Sequence, residues 1–348
     1  MIESAGSVEI TTPAPPEAPP APAEAPVEVK PVLQRKVAVV GEIPFSGKAF
    51  VAALVQQGLA ARVLCPDQAA EDAVMRASPP ADTAAAALEA RTEAVPTVEV
   101  VRGDLDSAEA VASVLQGAYG VCFLSPVTLG GRMYRSATHL QDVQLLVRAA
   151  ENSAIRRLVY HSTLGAHPQS MSLAMRQAAQ AEEIIHACKC EDYRVRTGPL
   201  MGRGDGFLSQ IVQAVTSPPP VMCVLGYGDT RLQPLHVNDL GRCISRIFRD
   251  QPDDLRPGYY CLAGPETCSE MELLDSAGER LGRSKLRIHI PLFVLRLITS
   301  WRKGNGFKER VNLLFDNFYT EQNDAPLLLS PGSQLISVRQ AQEEVLAR

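Results

Sequence analysis

Lys36-Val-Ala-Val-Val-Gly41-Glu-Ile-Pro-Phe-Ser-Gly47-Lys-Ala-Phe-Val-Ala-Ala-Leu-Val-Gln-Gln-Gly58 reads as a buried strand, a tight turn and an amphipathic helix. The apolar run Val37 to Val40 suits a parallel strand covered on both faces, while Phe50, Val51, Leu54 and Val55 share one helical stripe that Gly58 brings to an end. Strand, glycine turn and helix in this order open a dinucleotide-binding α/β domain. The turn itself is damaged. Gly41 and Gly47 hold the outer positions of a G-x-x-G-x-x-G spacing, but Pro44 holds the middle one, where backbone must approach a pyrophosphate. Proline has no N–H to donate and sets a ring in the ligand's path. Glu42 adds a carboxylate nearby, which opposes a dianion unless it turns to solvent or meets a ribose. The signature of the fold is stronger here than that of binding.

Upstream, residues 1–35 are rich in Pro, Ala and Glu and carry no basic residue before Lys30, so an extended tail is expected. That acidity is at odds with an intact transit peptide, although a cleaved one would leave no trace. Downstream, Ala61 to Cys65 is a second short strand, and residues 68–96, with Pro79-Pro80, read as an insertion in the crossover. Val98 to Asp106 is a third strand and turn, Ala108 to Leu115 a helix, and Gly120 to Pro126 a fourth strand. A helix over residues 136–152 leads into a fifth strand, Arg157 to Ser162. This alternation predicts an α/β fold, a doubly wound (Rossmann-like) parallel sheet over residues 36–192. Residues 193–348 break into short segments and Pro-rich loops, which predicts a smaller C-terminal α/β subdomain interleaved with the core.

A length of 348 residues allows a substantial core, and a net charge of −5 gives no attraction to nucleic acid. The eight cysteines are scattered, with Cys188-Lys-Cys190 the one close pair, so neither a disulfide framework nor a C-x-x-C metal site is present. Free, mostly buried thiols are expected. No apolar run reaches the length of a membrane span, and the longest candidate, residues 288–301, is interrupted by Arg296.

Several motifs in order resemble the extended and atypical short-chain dehydrogenase/reductase superfamily, in its NmrA-like branch, over residues 35–319. The carrying residues are Gly41 and Gly47 in the turn, Gly103-Asp104-Leu105, Arg196-Thr-Gly198 with Gly202-Arg-Gly-Asp205-Gly-Phe207, Gln233-Pro-Leu-His236-Val-Asn-Asp239-Leu, and Gly264-Pro-Glu266. Ile290-Pro-Leu-Phe293-Val-Leu-Arg296 and residues 307–328 are similar to the nucleotide-binding accessory subunits of respiratory complex I and their bacterial relatives, and a chloroplast branch tied to photosystem assembly has a similar tail. The resemblance implies a cofactor site of Gly41, Ile43, Pro44, Phe45, Gly47, Cys65, Asp104, Leu105, Leu124, Ser125, Pro126 and Ser162. NADP(H) is the implied ligand, structural in role, and the turn leaves open whether the site is empty or retains a slowly exchanging dinucleotide.

Catalytic members of the superfamily use a helical Tyr-x-x-x-Lys, in which the lysine lowers the tyrosine pKa and both groups share a helix face. Counted back from Glu182, the two positions fall on Ala174 and Ala178, and neither moves a proton. Ser162 remains where the superfamily keeps an active-site hydroxyl, without a base. His161 and His167 flank the site and read as hydrogen-bonded structure before catalysis. Asp104 has two readings, acceptor for an adenine amino group or cap of the helix near Ser107. Asp239, Glu266 and Ser269 read as caps, Arg196 as a structural partner or ligand contact, and Lys48 as a surface lysine or phosphate contact. Leu292, Phe293, Leu295, Leu297, Ile298 and Trp301, flanked by Arg296, Arg302 and Lys303, form an amphipathic segment that either packs on its own domain or meets a partner or membrane surface.

Two functions follow from the resemblance. One is a catalytically silent accessory or scaffolding subunit of a membrane-bound electron-transport complex, respiratory complex I first, on the matrix side of the mitochondrial inner membrane. Its partners would be other subunits, with a membrane-surface contact through residues 288–303. The alternative is a soluble NmrA-like NAD(P)-binding redox sensor or atypical oxidoreductase, or the photosystem-associated relative, in a chloroplast or bacterial cytoplasm.

Overall fold

The computed structural model describes residues 35–77, 96–125, 138–204, 206–249, 255–301, 305–316, 318–330 and 332–346. The expected tail up to residue 34 and most of the insertion, residues 78–95, lie outside them. In chain order the strands are β1 (Lys36–Gly41), β2 (Ala60–Cys65), β3 (Val98–Arg102), β4 (Gly120–Leu124), β5 (Arg157–Thr163), β6 (Glu191–Thr197), β7 (Leu200–Met201), β8 (Val221–Leu225), β9 (Arg231–Leu232), β10 (Leu235–His236), β11 (Gly258–Leu262), β12 (Cys268–Ser269) and β13 (Leu286–Ile290). Seven of them make one sheet in the order β11-β6-β5-β4-β1-β2-β3, and every neighbouring pair is parallel. The chain after residue 193 thus returns to the central sheet through β11 as well as building three two-stranded sheets of its own.

Helices cover both faces of the large sheet, which is why β4 and the Val37 to Val40 run of β1 are apolar and buried. On one face lie α1 (Lys48–Gln56), α2 (Gln68–Ala77) and a later helix, Val237–Phe248; on the other lie α3 (Ala108–Leu115), α4 (His139–Asn152) and α5 (Leu173–His186). The stripe of α1 is buried as its spacing predicts, and the Phe50 ring sits 6.1 Å from that of Phe248. A third core joins the start of α5 to α6 (Phe207–Thr216), α8 (Glu270–Leu281) and the C-terminal helix Val338–Leu346, with α7 being Val237–Phe248. The remaining helices are α9 (Leu292–Trp301), α10 (Asn305–Leu313), α11 (Ala325–Leu328) and α12 (Val338–Leu346). All eight cysteines are free; Cys65, Cys122 and Cys243 are buried and Cys223 is exposed, so burial is less general than the sequence implied.

Candidate functional site

Strand order reverses between β1 and β4, and an open parallel sheet has its ligand crevice beyond the carboxyl ends at such a reversal. Gly41 ends β1 with φ of +102°, and a Cβ there would stand 2.1 Å from the Leu124 carbonyl oxygen. The Glu42 N–H donates to that same carbonyl at 2.8 Å. No other residue fits both the left-handed backbone and this close approach. Residues Ile43–Gly47 then make a single wide π-helical turn into α1, with Ile43 buried and Pro44 exposed at the mouth.

Glu42 folds back into this turn. Its carboxylate accepts the N–H groups of Phe45 at 3.2 Å and Ser46 at 2.7 Å, and the Ser46 hydroxyl at 2.6 Å. Those are the donors that a helix start offers to a phosphate. The chain's own acid thus sits where sequence reading had left its direction open.

Around the crevice, Cys65 ends β2 fully buried, and its thiol is pushed up to about 11, mainly by burial, with Glu71 and Asp67 adding to it. Asp67 accepts the Ala70 N–H at 2.8 Å and so caps α2. Arg102, in register with Cys65, ends β3 and pairs with Glu71 at 2.8 Å. Its guanidinium also donates to the Gln68 side chain of α2, and no motif in the sequence marked it. Asp104 does not cap α3: Ser107 does, accepting from the Ala110 N–H, while Asp104 accepts the N–H of its neighbour Leu105 at 2.8 Å. Leu124 and Ser125 are buried at the end of β4, and Pro126 lies outside the described residues.

On β5, the buried Ser162 hydroxyl has no hydrogen-bond partner among the described residues. His161 pairs through Nε2 with the Thr197 hydroxyl at 2.9 Å, and burial lowers its pKa to about 4, so it is neutral at pH 7. His167 accepts the Gln169 N–H through Nδ1 at 3.1 Å. Both histidines have structural partners. Lys48, half-buried, directs its ammonium to the loop of Gly202-Arg-Gly204, 3.5 Å from where a Cβ on Gly204 would stand.

The start of α5 is covered by the C-terminal part of the chain. Ala174 and Ala178 are buried on α5, and the Glu309 carboxylate of α10 accepts the Leu173 and Ala174 N–H groups at 3.1 and 2.9 Å and the Ser172 hydroxyl. Asp316 accepts the Ser170 hydroxyl at 2.9 Å, and Asn312 donates to the Met171 carbonyl at 3.0 Å. Deeper on α5, buried Glu182 accepts the Arg196 Nε–H at 2.8 Å, while that guanidinium lies over Tyr259 at 4.8 Å. Arg196 is therefore a structural partner. Two of the expected caps have other duties. Asp239 lies within α7, pairs with Arg242 and accepts the Ile336 N–H at 2.7 Å, leaving His236 as the cap; Glu266 accepts the Val338 N–H at 3.2 Å. Ser269 caps α8 in a capping box with Glu272, as expected.

A sequence profile described as the NmrA-like family matches residues 34–343. The chain belongs to the NmrA-like family. Over 145 residues this NmrA-like chain is 28% identical to NADH dehydrogenase [ubiquinone] 1 alpha subcomplex subunit 9, mitochondrial, of Arabidopsis thaliana, a stretch covering 41% of the chain and 35% of that relative. Among solved structures it is similar to an NADPH-dependent quinone oxidoreductase from Escherichia coli complexed with NADPH, with a TM-score of 0.65 and 14% identity over 88% of this chain and 98% of the other. The Citrobacter sp. triphenylmethane reductase complexed with NADP(H) gives a TM-score of 0.61 and 14% identity over 89% of this chain and 100% of the other. At such identities the structural likeness establishes the fold, and the NmrA-like chain has the doubly wound α/β architecture that its first strand, turn and helix announce.

Proposed function

We propose that this NmrA-like chain is a catalytically silent accessory subunit of a membrane-bound electron-transport complex of the complex I type. The observation that carries the reading is that carboxylates of the chain itself take both sets of helix-start donors lining the cleft: Glu42 in the glycine turn, and Glu309 at the start of α5 beside Ala174. A dinucleotide phosphate would have to displace the first, and a substrate would meet the second where catalytic relatives hold tyrosine. The partial identity to the Arabidopsis subunit supports the choice of complex, and with it the matrix side of the mitochondrial inner membrane or the equivalent bacterial surface. The residues present fit NADP(H) only in part: Arg102, Lys48 and Ser162 favour it, and Glu42 and Pro44 oppose it. When bound, the dinucleotide would serve as structure, since neither Ala174 nor Ala178 can move a proton.

A docking face is available for partners. One side of the β8/β13 pair presents Cys223, Leu286 and Ile288, with Leu286 68% exposed, and α9 continues it with Phe293 at 73%. Leu295 on the same helix is buried, so α9 packs on its own domain through one side and offers the other. The Trp301 side chain lies outside the described residues. Among the described residues, no helix is long and apolar enough to cross a membrane.

Incubation of the purified protein with NADPH or NADH and a panel of quinones and carbonyl compounds tests silence. The expected result is no oxidation above the protein-free control. Sustained turnover, lost on Ser162→Ala, would favour the second reading, an NmrA-like redox sensor or atypical oxidoreductase, which the unpaired Ser162 hydroxyl supports.

A further inference from the structure

We propose that Cys188 and Cys190 form a redox-active dithiol, which low-molecular-weight disulfides close to an intramolecular Cys188–Cys190 disulfide. The pair lies in the turn between α5 and β6, at the amino end of the sheet and so opposite the crevice. Both thiols are half-buried, unlike the fully enclosed Cys122, and the residue between them, Lys189, is exposed. The turn is held in place, because the Lys189 N–H donates to the Glu151 carboxylate of α4 at 3.1 Å. Within it the Cys190 N–H donates to the Cys188 sulfur at 3.3 Å, which folds the two residues onto each other.

That arrangement separates their roles. The hydrogen bond from the Cys190 thiol, helped by the backbone N–H, holds the Cys188 thiol below its ordinary range, against burial and the carboxylates of Asp192 and Glu151. The same hydrogen bond and burial push the Cys190 thiol up. With the Cys190 N–H directed at its sulfur, Cys188 is the one held as thiolate, and it is the attacking sulfur with Cys190 the resolving one. The Cys188 thiolate attacks one sulfur of R–S–S–R, forms a Cys188–S–S–R bond and releases RS⁻. Cys190 gives its proton to solvent and attacks the Cys188 sulfur, and the second RS⁻ leaves as the intramolecular bond forms. Two protein thiols lose two electrons and two protons, and the disulfide is reduced to two thiols. A metal is the weaker reading, because no group of three or more His, Cys, Asp or Glu side chains suited to an ion occurs among the described residues.

The full-length reduced protein, incubated with oxidised glutathione near neutral pH and read by intact mass and peptide mapping, decides the matter. The expected product lacks two hydrogens and carries the link between Cys188 and Cys190, while exposed Cys223 gains glutathione as a plain adduct. Cys190→Ser should trap glutathione on Cys188, and Cys188→Ser should leave Cys190 unmodified over the same time. Stable glutathione adducts on both residues of the native protein, or both remaining reduced after Cys223 has reacted, would overturn the proposal.

Discussion

Glu42 is the residue whose behaviour most changes the meaning of the glycine turn. Its carboxylate meets two N–H groups and a hydroxyl, so Glu42→Ala should cost stability by about 0.5–2 kcal/mol, as loss of a cap does. The same change frees those donors, and NADPH should then bind more tightly by ~10-fold, the equivalent of one charge-assisted hydrogen bond. Titration calorimetry and urea unfolding read the two effects separately. A stability loss with no gain in affinity would reduce Glu42 to an ordinary cap. Pro44→Gly should raise affinity further by restoring a backbone donor, and an unchanged value would contradict the account of this turn. At Glu182 the interest is stability: its carboxylate is 1% exposed and paired with Arg196, so Arg196→Ala should cost roughly 3–5 kcal/mol by stranding a buried charge.

At the scale of elements, α5 depends on a carboxylate far away in sequence. Glu309→Ala should destabilise the protein by about 1 kcal/mol and raise amide exchange at Leu173 and Ala174 before it does so elsewhere in α5. Unchanged exchange would show that α10 rests on α5 without holding it. Two buried histidines set an acid limit. His139, bonded to the Tyr160 hydroxyl at 2.9 Å, and His161 both have pKa values lowered by burial to about 4, from 6.5 in the unfolded chain. The unfolded state takes up these protons first, so the stability tied to neutral imidazoles is complete above pH 6.5 and is lost as pH falls towards 4. Urea midpoints measured across that window should fall with pH, and His161→Gln should flatten the slope. The strands of the core were legible because a period of two or a continuous apolar run is a local signal, as in β1 and β4. The contact of Glu309 with Ser172 spans 137 residues, and no local pattern carries it. Capping was legible only as a tendency: the acids Asp104, Asp239 and Glu266 sit near helix starts, but tertiary partners such as Ile336 and Val338 decide where their carboxylates turn.

For the whole molecule, silence should survive partial repair. Ala174→Tyr with Ala178→Lys introduces the missing pair into a buried face, yet Glu42 still holds the turn and Glu309 the start of α5, so turnover of NADPH should stay absent. Adding Glu42→Ala and Pro44→Gly to that pair should be needed before any hydride transfer is seen. The proposed membership in a complex rests on the partial identity to the Arabidopsis subunit and on the exposed apolar side of β13 and α9. Its most direct test is native electrophoresis of membranes from the source cells, solubilised in mild detergent, with the chain detected by antibody and NADH dehydrogenase activity stained in the same lanes. The chain should migrate in the large band that carries the activity, and Phe293→Glu with Leu297→Glu should release it. Recovery of the native chain only as a free species of 37.6 kDa, in the soluble fraction and away from that activity, would contradict it.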